Sequence, residues 1–397
     1  MEHNLAPATL CIHAGHEVGA DQPALVPPVV RSTTFLLDDE AYARRAAGRA
    51  DEARIYARET SPTVEAVEGK LAALEGAERA LLFASGMAAM HALLLASLRA
   101  GDHVVSGLQL YGGSRGLLTE LLPRFGVEET VVDIEDPGAT AAAFRPETKL
   151  LLIESISNPT IAVADLPALA ELAHARGARV AVDATFATPM AQRPLLLGAD
   201  VVHHSATKYL GGHSDVTAGV LAFRGVPDLG HAAWQWRTKA GGCADPEAAS
   251  LLDRGLRTLH LRMRAHSDNA AAVARFLASR EDVTRVFHPS LETHASYAIG
   301  QRVLELPSGM LSFVLRGGDE AALRFARALR LVFEAASLGG VESLVSLPCN
   351  MSHVGLTVEE RLAAGIPPGM VRLSIGVEDP ADLIADVQQA LDAAAAG

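Results

Sequence analysis

The stretch HHSATKYLGGHSD, residues 203–215, contains Lys208, one of only four lysines in a chain of 397 residues. The short apolar run Val201–Ser205 leads into it, and Gly211 and Gly212 follow. A lysine just past a strand-like run, set among hydroxyls and glycines, lies where an open parallel sheet binds its ligand. That placement holds only if the surrounding chain builds such a sheet.

Working outward, strand-like apolar runs recur at Ala80–Ala84, His103–Ser106, Thr130–Ile134, Leu150–Ser155, Arg179–Thr185, Val201–Ser205 and Gly219–Phe223. Helical patterns at Thr63–Leu74, Met87–Leu98, Gly113–Leu122 and Leu166–Arg176 lie between several of them. This alternation predicts an α/β chain with a largely parallel sheet and helices on both faces. The pattern changes at Ala240–Pro246, where Asp245 reads as an N-cap and Pro246 as a first-turn residue. One long helix is expected to follow, with Leu251, Leu252, Leu256, Leu259 and Met263 at core spacing. Strands near Leu311–Leu315, Leu331–Ala335 and Val371–Val377, and a last helix over Ala381–Ala394 begun by Asp379 and Pro380, complete a smaller α/β domain. The expected division is an arm over 1–60 that contacts a neighbouring subunit, a cofactor-binding domain over 61–244 and a C-terminal domain over 245–397.

Composition narrows the classes. Hydrophobic residues are 49%, charged residues 20% and the formal net charge is −13, with no basic run or stripe. That argues against nucleic acid or an anionic membrane as partner. Cys11, Cys243 and Cys349 are far apart and odd in number, so neither a disulfide framework nor a thiolate zinc site is expected. The N-terminus lacks the basic start and apolar core of a signal peptide, and the reading is cytoplasmic. Leu81–Leu98 has no charged residue over 18 positions, but Ser85 and Gly86 interrupt it, and strand, turn and buried helix explain it better than a membrane span.

The polar residues expected at the carboxyl ends of the strands are Ser85-Gly86-Met87, Tyr111, Asn158, Asp183 with Thr185, Ser205, Thr207 and Lys208. A phosphate-type nest, an aromatic ring, an amide, a carboxylate and a lysine thus meet on one edge. Pyridoxal phosphate uses all five: a lysine for its Schiff base, a carboxylate for its pyridine nitrogen, and a helix N-terminus for its phosphate. Ser205 and Thr207 would add hydroxyl donors, Tyr111 would stack on the ring, and Asn158 would meet the ring hydroxyl. Lys70 falls on a helix with charged neighbours, Lys149 at the wrong end of a strand, and Lys239 in a glycine-rich linker, so Lys208 is the favoured carrier.

Each piece has a plainer reading. Asp183 and Lys208 also suit a buried ion pair, Ser85-Gly86 a simple turn, Tyr111 a core aromatic, and Arg372 a surface or interface ion pair. His203, His204 and His213 suggest a metal, but their spacing matches no familiar site.

The motifs YAR (56–58), SGMAA (85–89), LYGG (110–113), ESISNPT (154–160), VDATFATP (182–189), HSATKYLGGHSD (204–215), RGLRTLHLR (254–262), SLGGVESL (337–344) and VRLSIGVED (371–379) occur in one order. In this the chain resembles the pyridoxal-phosphate enzymes of cysteine and methionine metabolism, the transsulfuration family, over nearly its whole length. The resemblance implies the fold of the aspartate aminotransferase type (fold type I). It implies Lys208 as Schiff-base lysine and proton carrier, Asp183 as pyridine partner, and Ser85, Gly86, Met87, Ser205 and Thr207 as phosphate cup. It implies Tyr111 as stacking ring and acid for the leaving group, and Ser337 with Arg372 as clamp on the substrate carboxylate. Tyr56 and Arg58 would come from a neighbouring subunit, which implies a homotetramer built from dimers that share active sites.

The implied activity is γ-elimination or γ-replacement on a sulfur-containing L-amino acid of the cystathionine or methionine type. A cystathionine γ-lyase-like enzyme is the first reading, and a methionine γ-lyase or an O-acylhomoserine-dependent γ-synthase or sulfhydrylase the alternative. Ser61 and Ala184 depart from the family's usual residues. Ala336 stands where members that handle cystathionine often carry Glu, and Gly113 where methionine γ-lyases usually carry Cys. A nicotinamide oxidoreductase lacks its GxGxxG after the first strand. A non-catalytic binding protein is opposed by the intact Tyr56, Tyr111, Asp183, Lys208 and Arg372.

Overall fold

Seven strands build the larger sheet: β1 (Arg79–Phe83), β2 (His103–Gly107), β3 (Glu128–Val132), β4 (Thr148–Glu154), β5 (Arg179–Asp183), β6 (Val201–Ser205) and β7 (Gly219–Phe223). These come from a computed structural model, which describes residues 5–15, 23–350 and 357–395. The spatial order is β1-β7-β6-β5-β4-β2-β3, with β7 antiparallel to both its neighbours and all other pairings parallel. Strands such as LLLIE in β4 and VAV in β5 are buried throughout, as a sheet covered on both faces requires. Glu154, Asp183 and Ser205 therefore end three adjacent parallel strands on one edge. Lys208 lies in the connection from β6 to β7. Thr207 ties that connection shut: its N–H donates to the Ala218 carbonyl (3.2 Å), and its Oγ1 accepts from the Ala218 N–H (3.1 Å).

The apolar stretch 81–98 resolves into β1, a turn and the helix Gly86–Ser97, which Ser85 caps by accepting from the Ala88 N–H at 3.0 Å. Among the described residues no helix is long and apolar enough to cross a membrane.

A second sheet collects β8 (Val283–Phe287), β9 (Met310–Leu315), β10 (Phe333–Glu334), β11 (Leu344–Ser346) and β12 (Met370–Ser374) in the order β10-β11-β12-β9-β8. Helices Gly318–Ala328 and Pro380–Ala395 belong to its separate core, where Phe313 meets Phe325 edge-on at 5.4 Å. β12 carries Arg372 toward the large sheet.

Four expectations change. The helix after Pro246 is two, Pro246–Leu256 and Leu259–Ala278. Gly255 lies so close to Leu210 and Gly211 that a Cβ there would meet the Gly211 oxygen at 2.3 Å, and Arg262 takes the Gly255 carbonyl with Nη2 at 2.6 Å. At the break that carbonyl also accepts from the Thr258 N–H, three residues on, at 3.3 Å. The expected helix over 113–122 is instead Gly112–Gly116, a π segment Leu117–Leu121 and a 3₁₀ turn Leu122–Phe125 containing Pro123. Lys239 ends the helix Pro227–Ala240 rather than lying in a linker. The arm is not wholly extended: it holds helices Pro7–His13 and Asp39–Ala46, and Leu10, Cys11 and Ala14 join the main core. Residues 1–4 and 16–22 of the expected arm lie outside the described residues.

Lys70 is buried, on the helix Pro62–Glu75, with its ammonium bonded to Asp253 across to the helix Pro246–Leu256. Asp253 also accepts from Arg257 Nε at 2.8 Å. Removing one partner of a buried pair strands the other charge. Asp253→Ala is expected to lose about 3–5 kcal/mol of unfolding free energy in urea titrations, whereas Lys70→Met with Asp253→Leu recovers most of it.

Candidate active site

A cavity of about 580 Å³ opens at the carboxyl ends of β4, β5 and β6, between the two sheets. Of the residues expected at the site, Ser85, Gly86, Met87, Tyr111, Asn158, Asp183, Thr185, Ser205, Thr207, Lys208, Ala336, Ser337 and Arg372 line it. Tyr56 and Arg58 do not. Tyr56 is 45% exposed, and Arg58 donates to the Thr238 carbonyl at 2.9 Å.

One end of the cavity is a cradle. The first N–H groups of the helix Gly86–Ser97 lack intrahelical acceptors, and its dipole favours an anion. The turn is pressed against the sheet. A Cβ on Gly86 would meet Ser205 Cβ at 2.9 Å, and one on Gly219 would meet the Ser85 carbonyl oxygen at 2.1 Å. Ser205 and Thr207 bring hydroxyls to the same place.

The middle holds Asp183. Its Oδ1 accepts from the Thr185 N–H at 2.9 Å and its Oδ2 faces His203 Nδ1 at 2.9 Å. Burial would push this carboxyl up. The charge and hydrogen bond of His203, with the donors of Thr185, outweigh burial and hold it below the usual carboxylate range. Tyr111 stands at the mouth, about half exposed.

The far end is cationic. Lys208 Nζ donates to Ser337 Oγ at 2.6 Å. Burial first, and then the charge of Arg372, pull the amine below its ordinary value, which favours the neutral nucleophile. Arg372 Nη1 donates to Asn158 Oδ1 (3.0 Å) and Nη2 to the Ser337 carbonyl (3.2 Å), while its buried Nε has no partner. Burial brings this guanidinium down to about 10. A buried cation bonded only to neutral oxygens is suited to a substrate carboxylate. Ser337 holds φ +98°, a costly value for a residue with a Cβ, and this turn puts its hydroxyl on the amine and its carbonyl on Arg372.

The plainer reading of Asp183 and Lys208 as a buried ion pair does not hold, because Asp183 pairs with His203 and Lys208 with Ser337. The three histidines separate. His203 faces the cavity, His204 points the other way onto Glu75 (2.6 Å), and His213 bonds the Gly211 carbonyl (2.8 Å). Two residues that motif reading left without a role belong here. Glu154, opposite Asp183 in register, accepts from the N–H groups of Tyr111 (2.7 Å) and Asn158 (3.0 Å), fixing both loops. Burial, and then the charge of Asp183, lift its carboxyl well above the usual range. His203 is the second. Their signal was positional: each lies in a predicted strand within two residues of its carboxyl end, on the edge where the other site residues gather.

Cradle, buried carboxylate and desolvated amine fit the chemistry of pyridoxal phosphate: Ser85-Gly86 would hold its phosphate, Asp183 its pyridine nitrogen and Lys208 its carbonyl carbon. Gly86→Ala should weaken cofactor binding about tenfold, about 1.4 kcal/mol, in reconstitution titrations of the apoprotein. Gly116→Ala, where a Cβ meets nothing within 4 Å, should leave the affinity unchanged.

Comparison with known proteins agrees. The chain matches the family model for Cys/Met metabolism PLP-dependent enzymes over residues 8–392. It is 42% identical to an L-methionine γ-lyase of Pseudomonas putida, with 98% of each chain covered. It is 43% identical to a cystathionine γ-synthase of Mycobacterium tuberculosis, with 97% of this chain and 96% of that one covered. A cystathionine γ-lyase from Lactobacillus plantarum, solved with L-serine, superposes with a TM-score of 0.92 at 35% identity, covering 98% of this chain and all of that one. The chain belongs to the Cys/Met metabolism family of pyridoxal-phosphate-dependent enzymes.

Proposed function

We propose that the protein carries out γ-elimination or γ-replacement on a γ-substituted L-amino acid whose distal group is short and uncharged. The observation that carries this is the asymmetry of the cavity. Arg372 and Ser337 offer a carboxylate clamp beside the Lys208 amine. The lining next to that clamp, Ala336, Leu338 and Ser346, carries no charge. The carboxylates that line the cavity, Glu154 and Asp183, are engaged elsewhere. A second ammonium group, such as cystathionine carries, therefore meets no free counter-charge among the described residues. Similarity to methionine γ-lyases supports a thioether substrate, and similarity to a γ-synthase supports an activated homoserine. Cleavage of cystathionine is the second reading, favoured by the match to the Lactobacillus plantarum enzyme.

Pyridoxal phosphate, when bound, supplies the electron sink next to the substrate Cα. The protein's residues do the rest. Arg372 orients the substrate through its carboxylate. The Lys208 amine, once released, takes the proton from Cα and then one from Cβ, which lets the group on Cγ depart. Tyr111 at the mouth is placed to protonate the departing sulfur or oxygen. Water then yields a 2-oxo acid and ammonia, or a thiol takes the vacant γ-position.

The same reading makes the active unit a homotetramer of dimers that share sites, and the setting cytoplasmic. Tyr56 and Arg58 fit donation to a neighbouring subunit because both lie outside their own chain's cavity while Tyr56 is well exposed. Of the units 1–60, 61–244 and 245–397, the separation of the two sheets supports the division between the last two.

Release of 2-oxobutyrate by the cofactor-loaded protein should be faster, as kcat/KM, from L-methionine than from L-cystathionine. Ala336→Glu should shift that ratio toward cystathionine by about tenfold, within the ~1–3 kcal/mol that one pocket contact supplies. Lys208→Ala should cost about 10²–10⁴ in kcat. Preference for cystathionine by the unaltered protein would favour the second reading.

A further inference from the structure

His203 is buried between two parts of the site. Its Nδ1 lies 2.9 Å from Asp183 Oδ2 and its Nε2 lies 2.9 Å from the Gly86 carbonyl oxygen. A carbonyl oxygen only accepts, so Nε2 carries a hydrogen. Asp183 already accepts from the Thr185 N–H on its other oxygen, as an ionised carboxylate does. The hydrogen between Asp183 and His203 then resides on Nδ1, and the imidazole is doubly protonated. We propose that His203, as an imidazolium, is a positioning residue that joins the cofactor's ring-nitrogen partner to its phosphate cradle and neutralises much of the charge of Asp183.

The charged groups that share its cavity pull in opposite directions: Asp183 favours an imidazolium, and the cations Lys208 and Arg372 oppose one. Asp183 comes from β5, Glu154 from β4, Lys208 from the turn after β6 and Arg372 from β12. Burial disfavours a cation at His203, but the charge and hydrogen bond of Asp183, with the Gly86 carbonyl, more than offset it, so its proton is held above the usual imidazole range. Glu154 is pushed toward its neutral form, which leaves Asp183 as the nearest anion.

Two consequences follow for the bound cofactor. Asp183 acts on the pyridine nitrogen with a weakened field, because an adjacent positive charge offsets its own. The Gly86 carbonyl, and with it the cradle turn, is held in register with the end of β5. An uncharged residue at 203 breaks the first effect. One that also cannot donate a hydrogen bond breaks the second.

The inference rests on cofactor binding and not on the choice of substrate, so it is tested on the substrate-free holoprotein. His203→Gln and His203→Leu are loaded with pyridoxal phosphate, and two quantities are read: the pH midpoint of the cofactor's near-ultraviolet and visible absorbance change, and the dissociation constant for pyridoxal phosphate. Loss of the positive charge should move the midpoint up by about one pH unit in both variants. His203→Leu should bind the cofactor about tenfold more weakly, and His203→Gln, which keeps one donor, by clearly less. A midpoint unchanged in His203→Gln would overturn the proposal, because the imidazole would then carry no charge. Failure of both variants to fold would also overturn it, assigning His203 to the fold alone. Failure to turn over methionine, with the midpoint shift intact, would touch only the substrate reading.

Discussion

Two cations, Lys208 and Arg372, face one cavity, and among the described residues no carboxylate pairs with either. Most buried positive charges in proteins are paired, and leaving one without an anion is costly. Here the nearby acids are diverted. Asp183 is taken by His203 and Thr185, and Glu154 by the backbone of Tyr111 and Asn158. What remains is a cavity poised for anions brought from outside: a phosphate at the helix N-terminus and a carboxylate at Arg372. Burial first, and then the charge of Arg372, lower the proton affinity of the lysine, which suits an amine that must act as nucleophile and base.

The fold creates this arrangement by convergence rather than by any single motif. Three neighbouring parallel strands deliver Glu154, Asp183 and Ser205 to one edge, and the β6–β7 connection places Lys208 just beyond it. The second sheet brings Arg372 across, with the strained turn at Ser337 as the joint between the two halves of the site. Close backbone approaches at Gly86 and Gly219 make the cradle rigid. The site belongs to both sheets, so its geometry depends on how Arg372 and Ser337 of the smaller one meet Asn158 and Lys208 of the larger.

Much of this was legible from residue order. Strand-then-helix periodicity marked the large sheet, and the carboxyl-end rule then selected Lys208, Asp183 and Ser85-Gly86. The position of Arg372 came only through resemblance to a family, since its partners lie 214 and 35 residues away in the chain. His203 and Glu154 were passed over because their roles are relational. A histidine in a strand carries no mark of which face it takes until its neighbours are known, and three histidines in one stretch suggested a metal. The break at Arg257 was hidden because what accompanies it is the packing of Gly255 against the distant Leu210 and Gly211 backbone, which no local signal reveals. Lys70 was placed on its helix, but its buried partner could not be read because Asp253 is 183 positions distant.

The central claim is that Lys208, and none of the other three lysines, carries the cofactor. Borohydride reduction of the holoprotein followed by peptide mass mapping tests it most directly. The account requires the phosphopyridoxyl group on the peptide containing Lys208. Its appearance on Lys70, Lys149 or Lys239, or its absence from a protein that binds the cofactor tightly, would contradict it.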